Sequence, residues 1–276
     1  MSGLAYESLG REGADGTPVL YVLHGFLGSG RNWASFARRL VDLRTDWRVV
    51  LVDLRLHGDS QDVYGPHTVG AAVDDLVDLV AMVSPGVPTA VLGHSFGGKV
   101  ALMATSRLSP PPIQTWVIDS TPATGGEGGA ADRMLSRLEA SPDSFADREA
   151  AVTWISRGGF DEATARWMAT NLERRDEGWA WRLDAGGLRE LLTDFAATDL
   201  WSVVESPPSD ASLHFVRATR GSVLAAADAE RIRHLATRGE PVSLREIVGG
   251  HWLHTDNPSA LLEMIADHLP RLPHPG

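Results

Sequence analysis

Val19–Leu23, Val49–Leu54, Thr89–Leu92 and Trp116–Ile118 are short runs made almost entirely of apolar side chains. Strands that do not alternate with polar residues must be buried on both faces, and such strands belong to parallel sheets. The stretches between them carry the complementary rhythm. Val69, Ala72, Val73, Leu76, Val80 and Val83 follow the i, i+3, i+4, i+7 spacing, with Asp74, Asp75 and Asp78 on the opposite face, which predicts an amphipathic helix. Strands alternating with helices predict an α/β fold with right-handed crossovers.

The alternation stops after Asp119. Residues 121–130 are rich in Gly, Ala and Thr and read as a linker. From 131 to 204 the pattern is helical throughout and holds Trp154, Trp167, Trp179, Trp181 and Trp201. Strands are expected again at Leu213–Val216 and Leu244–Val248, and helices at 225–237 and 258–269. A helical block inside an α/β rhythm is most simply an insertion. The 276 residues are therefore read as one core, 1–120 with 205–276, interrupted by a helical cap over 121–204.

Composition narrows the partners. There are 25 basic and 36 acidic residues, a net charge of −11, so the basic footprint that nucleic acid or an anionic membrane needs is missing. The absence of cysteine removes disulfides, Cys-ligated zinc, iron–sulfur clusters and a thiol nucleophile. Lys99 is the only lysine. No window of 18 consecutive apolar residues occurs, so no membrane span is expected. Met1 to Gly16 lacks the form of a secretory signal, and a cytoplasmic monomer or homodimer with a frayed end at Pro270, Pro273 and Pro275 is the expectation.

Gly93-His94-Ser95-Phe96-Gly97-Gly98 joins the run Thr89–Leu92 to the helical stretch Lys99–Arg107. This is G-x-S-x-G in a strand–turn–helix setting. The serine of such an elbow sits on a tight, strained turn, with its hydroxyl above the strand ends. Glycines two residues to either side keep side chains out of the turn, and the Phe96 N–H is left to stabilise an oxyanion. Ser95 is the candidate nucleophile; the competing reading is a structural turn with a capping serine.

A serine needs a base, and in this setting the partners follow in the order serine, acid, histidine. Among ten histidines, His251 in Val248-Gly249-Gly250-His251-Trp252 follows the last expected strand and precedes the last helix. It is the candidate general base, with His254 as its rival. These two histidines lack a third ligand at useful spacing, so no metal site is expected. The second oxyanion donor is expected from His24-Gly25-Phe26-Leu27-Gly28-Ser29, with Phe26 N–H as donor. Gly25 lets the backbone approach the substrate, and His24 orients the loop beside it. His57 is read as a support of the neighbouring loop.

The acid is expected after the strand that precedes the histidine strand. That loop reads Ala218-Thr219-Arg220-Gly221-Ser222 and holds no carboxylate. Asp119, at the tip of Trp116-Val117-Ile118, can reach the histidine from the other side and fix its tautomer. Asp228, expected on a helix, is the alternative. The competing reading of Asp119 is a cap for the segment entering the insertion.

Four phrases carry a family resemblance: Leu23-His24-Gly25-Phe26-Leu27-Gly28-Ser29, Asp53-Leu54-Arg55-Leu56-His57-Gly58-Asp59-Ser60, Gly93-His94-Ser95-Phe96-Gly97-Gly98-Lys99-Val100 and Gly250-His251-Trp252. Over residues 18–269 the chain resembles the α/β-hydrolase superfamily, and more narrowly its YbfF-type esterases. In that branch Asp-Leu-Arg in the second loop, Gly-Gly-Lys after the serine and an acid one strand after the elbow go together. Asn171-Leu172 and Trp179-Ala180-Trp181-Arg182 resemble its cap. The resemblance implies an α/β-hydrolase fold with a mostly parallel sheet, hydrolysis of carboxylic esters or thioesters, and no cofactor. Gly221-Ser222-Val223 departs from the Ser-Asp-Tyr frequent in such chains, which favours Asp119 as the acid.

The function expected is that of a serine carboxylesterase with Ser95, Asp119 and His251 as its triad. The cap tryptophans, Trp154 and Trp179 first among them, and Trp252 are expected to line an acyl pocket, although packing of cap on core accounts for them as well. A carbon–carbon bond hydrolase or a perhydrolase would use the same triad, and a ligand receptor would use the scaffold without chemistry.

Overall fold

The structure is a computed structural model that describes residues 3–10, 16–126 and 128–272. The expected fraying at Pro273 and Pro275 lies outside the described residues. The chain runs through β1 (Tyr6–Leu9), β2 (Val19–Leu23), α1 (Ala34–Leu43), β3 (Arg48–Val52), α2 (Val69–Val83), β4 (Thr89–His94), α3 (Phe96–Arg107) and β5 (Gln114–Ile118). It continues through α4 (Ala130–Glu139), α5 (Arg148–Arg157), α6 (Glu162–Met168), β6 (Leu172–Arg175), β7 (Gly178–Trp181), α7 (Ala185–Ala197) and α8 (Trp201–Glu205). It ends with β8 (Ser212–Ala218), α9 (Ala226–Thr237), β9 (Val242–Ile247), α10 (Leu253–Asp256) and α11 (Pro258–His268). No helix among the described residues is long and apolar enough to cross a membrane.

Among the described residues β1-β3-β2-β4-β5-β8-β9 form one sheet, parallel except for β1. The unbroken apolar runs follow from burial on two faces. Val19, Tyr21 and Leu23 of β2 join the cluster with α2, α3 and the inserted segment. Leu20 and Val22 join the cluster with α1 and α11 on the other side. The edge strand β1 pairs antiparallel with β3; its Tyr-Glu-Ser-Leu is half-exposed and carries no apolar run to mark it.

Strand register positions the loops. Leu23 pairs with Gly93, His94 with Ile118, and Ile118 with Val216. The carboxyl ends of β2, β4, β5 and β8 therefore lie side by side, which is where open α/β sheets place their sites. One step beyond the strands, Ser95 N–H donates to Ile118 O at 3.0 Å and Asp119 N–H to Val216 O at 2.7 Å.

Residues 131–204 are not helical throughout. β6 and β7 make an antiparallel hairpin with Leu172 opposite Trp181 and Arg174 opposite Trp179. The alternation of Trp179 and Trp181 and the glycine at 178, with φ 135, were its signals; the tryptophans served the strand period, not a helical one. The two connections of this segment are paired with each other, Gly125 N–H to Ala196 O at 2.8 Å and Leu200 N–H to Pro122 O at 2.8 Å.

Lys99 fastens this neck. It is fully buried, and its ammonium donates to Ala123 O (2.9 Å), Phe195 O (2.7 Å) and Thr198 O (2.9 Å). One side chain of α3 thus holds both ends of the inserted segment, and its Nζ also lies 4.2 Å from the centroid of the Phe195 ring. Burial pulls the lysine down to about 8.

Candidate active site

Ser95 occupies the elbow between β4 and α3 with φ 52 and ψ −115, a region that costs a non-glycine residue free energy. Within residues 89–100 every residue is buried except Ser95, which is partly exposed. Its hydroxyl makes no helix-capping bond, so the capping role does not account for the serine. The elbow is that tight because its glycines have no side chains. A Cβ on Gly93 would come within 1.9 Å of Gly97 O, and one on Gly97 within 2.5 Å of His24 O.

His251 stands in the loop between β9 and α10. Its Nδ1 lies 2.7 Å from Asp119 Oδ2. Since the carboxylate accepts, Nδ1 carries the proton and Nε2 is left as the unprotonated nitrogen. His94, the residue before Ser95, holds the same loop. Its Nε2–H donates to His251 O at 2.8 Å, and the two rings lie 4.6 Å apart. His254, the rival base, stacks on Trp33 at 4.4 Å, with its Nδ1 buried and unpartnered among the described residues.

Asp119 is fully buried and has φ 42. It accepts hydrogen bonds from Ala218 N–H (2.9 Å), Val223 N–H (3.3 Å), the Ser222 hydroxyl and His251. Burial pushes its carboxyl up, but the bonds from His251, Ser222 and Ala218 outweigh this and leave it below the usual carboxylate range. The 218–223 loop, read from sequence only as lacking an acid, supplies three of the four donors. A carboxylate buried there needs such donors, which is the signal that could have pointed to Ser222. Asp228 is engaged elsewhere, accepting from the Thr121 hydroxyl at 3.2 Å.

The loop after β2 faces the elbow. Among the described residues neither Phe26 N–H nor Phe96 N–H donates to another backbone group, and the two phenylalanine rings meet edge to face at 6.2 Å. Gly25 is close-packed: a Cβ there would lie 2.8 Å from His94 Nδ1. His24, expected to orient this loop, is buried behind it with both ring nitrogens engaged. Leu54 N–H donates to its Nε2 at 3.0 Å, so Nδ1 carries the proton and donates to Gly25 O at 2.8 Å. Burial pulls His24 down to about 4 and keeps it neutral. His57 is buried beside it, with Nδ1 2.8 Å from Arg55 O.

The tryptophan rings of the inserted segment take guanidinium and aromatic partners. Trp154 lies under the Arg137 guanidinium at 3.6 Å and Trp179 under that of Arg148 at 4.6 Å, both contacts inside the inserted segment, because an indole face is a good seat for a guanidinium. Phe195 is the aromatic of that segment that meets the elbow, 6.0 Å from Phe96. Trp252 is half-buried and packs on Trp167 at 4.6 Å. Sequence reasoning did not single out Phe195, whose position comes from the neck.

An alcohol on a strained turn, an imidazole held in one tautomer by a buried carboxylate, and two backbone N–H groups without a backbone acceptor among the described residues are the kind of parts that nucleophilic acyl transfer uses.

Comparison with known proteins agrees on the family. The mouse "sn-1-specific diacylglycerol lipase ABHD11" is 27% identical over 262 residues, covering 91% of this chain and 81% of that one. Human "Protein phosphatase methylesterase 1" is 31% identical over 154 residues, covering 54% of this chain and 39% of its own length. Among solved structures, a "Marine microorganism esterase" superposes with TM-score 0.80 at 22% identity, covering 96% of this chain and 99% of that one. A family model described as the alpha/beta hydrolase family matches residues 20–264, and the chain belongs to that family.

Proposed function

We propose that this protein is a serine hydrolase of carboxylic esters and thioesters with small to medium acyl chains. The observation that carries the reading is the 2.7 Å hydrogen bond between His251 Nδ1 and the buried Asp119, in a loop that His94 ties to the elbow of Ser95. Ser95 Oγ attacks the ester carbonyl while His251 Nε2 takes its proton, and Asp119 stabilises the imidazolium. Phe26 N–H and Phe96 N–H hold the developing oxyanion. His251 then protonates the leaving alcohol or thiol. Water, deprotonated by the same nitrogen, releases the acid from the acyl-enzyme. No step asks for a cofactor or metal.

Residues 121–204 serve as a cap above the site, and Phe195, Trp167 and Trp252 wall the acyl side. The aromatic contacts of Phe195 with Phe96 and of Trp167 with Trp252 support this.

Turnover of p-nitrophenyl acetate and butyrate tests the reading. Ser95→Ala should lose several orders of magnitude in kcat/KM, and a fluorophosphonate probe should label the wild-type chain and not the variant. Unchanged turnover in Ser95→Ala would remove the reading, and a wild-type chain inert to the probe would favour a ligand-binding role.

A further inference from the structure

Asn171 follows α6, and its carbonyl accepts from Arg182 N–H at 3.0 Å. The side chain is buried and points into the core, where Nδ2–H donates to Leu27 O at 3.1 Å, 144 residues away in sequence. Leu27 belongs to the loop that presents Phe26 N–H. It holds φ 63, a left-handed conformation that a leucine keeps only when its surroundings hold it there.

The hydrogen bonds continue from that contact in a line. Leu27 O and Gly28 N–H are opposite ends of one trans peptide unit. Gly28 N–H donates to Gly25 O at 3.0 Å. Gly25 O and Phe26 N–H are again opposite ends of one unit. The line therefore runs from Asn171 Nδ2–H through Leu27 O, Gly28 N–H and Gly25 O to Phe26 N–H. Each peptide unit is gripped at its carbonyl, so its N–H points away from the grip, and hydrogen bonds in series polarise one another. His24 Nδ1–H holds Gly25 O from a second side.

We propose that Asn171 is a positioning residue for the oxyanion hole: through the Leu27–Gly28 and Gly25–Phe26 peptide units, the inserted segment aims and polarises Phe26 N–H. This rests on the hydrolase reading above and adds to it that the inserted segment sets the strength of the oxyanion donor as well as covering the site. A mere structural pin would stabilise the fold without favouring the transition state over the ground state.

Asn171→Ala separates the two. Removing an oxyanion donor outright costs about 10²–10³ in kcat; here the donor stays and His24 keeps one grip, so a loss of about tenfold in kcat with KM within threefold is expected. A trifluoromethyl ketone, which forms an oxyanion on the serine, should bind about tenfold more weakly, while butyrate, the product acid, binds as before. An unchanged kcat, or equal weakening of the ketone and butyrate, overturns the proposal. Asn171→Ser keeps a donor on a shorter arm and is read by the same ketone-to-butyrate ratio if the alanine variant does not fold. A wild-type chain that neither reacts with a fluorophosphonate nor binds the ketone would show that the hydrolase reading itself had failed.

Discussion

The Ser222 hydroxyl donates to Oδ1 of Asp119, across 103 residues of sequence, while Asp119 Oδ2 accepts from His251. The carboxylate is thereby shared between the loop after β8, which holds it, and the imidazole it orients. If Asp119 is the acid, Asp119→Asn should lower kcat by about three to four orders of magnitude, since an amide can no longer enforce the tautomer. Asp228→Asn should stay near wild type, its carboxylate being engaged with Thr121. Steady-state rates on p-nitrophenyl butyrate decide, and the reverse pattern would move the acid to Asp228.

Removing the Lys99 ammonium leaves three part-buried carbonyls of the neck without their donor. Hydrogen bonds to a charged group are each worth about 1.5–3 kcal/mol, and buried acceptors left bare add to the loss. Lys99→Met should therefore cost about 3 kcal/mol or more, a fall of about 6 °C or more in Tm for a chain of this size. A thermal melt within about 1 °C of wild type would mean that the neck is held without it.

Acid should destabilise the fold through its buried histidines. Burial pulls His24, His214 and His254 down to about 4 and His57 to about 3, and puts His94 well below its ordinary value. In the unfolded chain they titrate near the model-peptide value of about 6.5. Between that pH and about 4 the unfolded chain binds protons that the folded chain refuses. Stability is thus fully present above about pH 6.5 and declines as pH falls through this window. Each pKa unit corresponds to about 1.4 kcal/mol, so several kcal/mol should be gone by about pH 4.5. Asp119 acts lower, its contribution being lost only as pH falls through its depressed folded value. Urea unfolding at pH 7.5 and pH 5 measures the decline, and equal midpoints would contradict it.

Acyl-chain preference should respond to Phe195 rather than to Trp154. Phe195 meets the elbow residue Phe96, whereas the Trp154 ring lies under the Arg137 guanidinium. Phe195→Ala should shift the ratio of kcat/KM for butyrate and octanoate esters by about tenfold, the scale of one to two kcal/mol of apolar contact. Trp154→Ala should lower stability and leave that ratio within about twofold. A ratio moved by Trp154→Ala and untouched by Phe195→Ala would reverse the assignment of the wall.

Much of this was legible in the chain itself. Unbroken apolar runs such as Val19–Leu23 can only be two-sided strands, because an exposed face would have left polar residues in alternation. The elbow was legible because its chemistry is local: Gly93, Ser95 and Gly97 must meet within a single turn. Chain order nominated His251 as the candidate base, and the structure brings it to Asp119. Asp119 was nominated as the candidate acid by elimination, the loop after β8 having no carboxylate. What sequence could not supply were contacts between segments distant in the chain. Ser222 on Asp119, His94 on His251 O, Lys99 on both connections of the neck and Asn171 on Leu27 each join residues brought together only when strand register aligned the ends of β2, β4, β5 and β8 and the neck closed over α3. The stretch from 131 to 204 was read as helical throughout, whereas Trp179 and Trp181 lie on a hairpin strand whose partner is fixed only by pairing with Leu172–Arg175. Local pattern determined the buried strands of the core and the turn that carries Ser95; hydrogen-bonding needs of buried polar groups, settled only in three dimensions, decided what holds them.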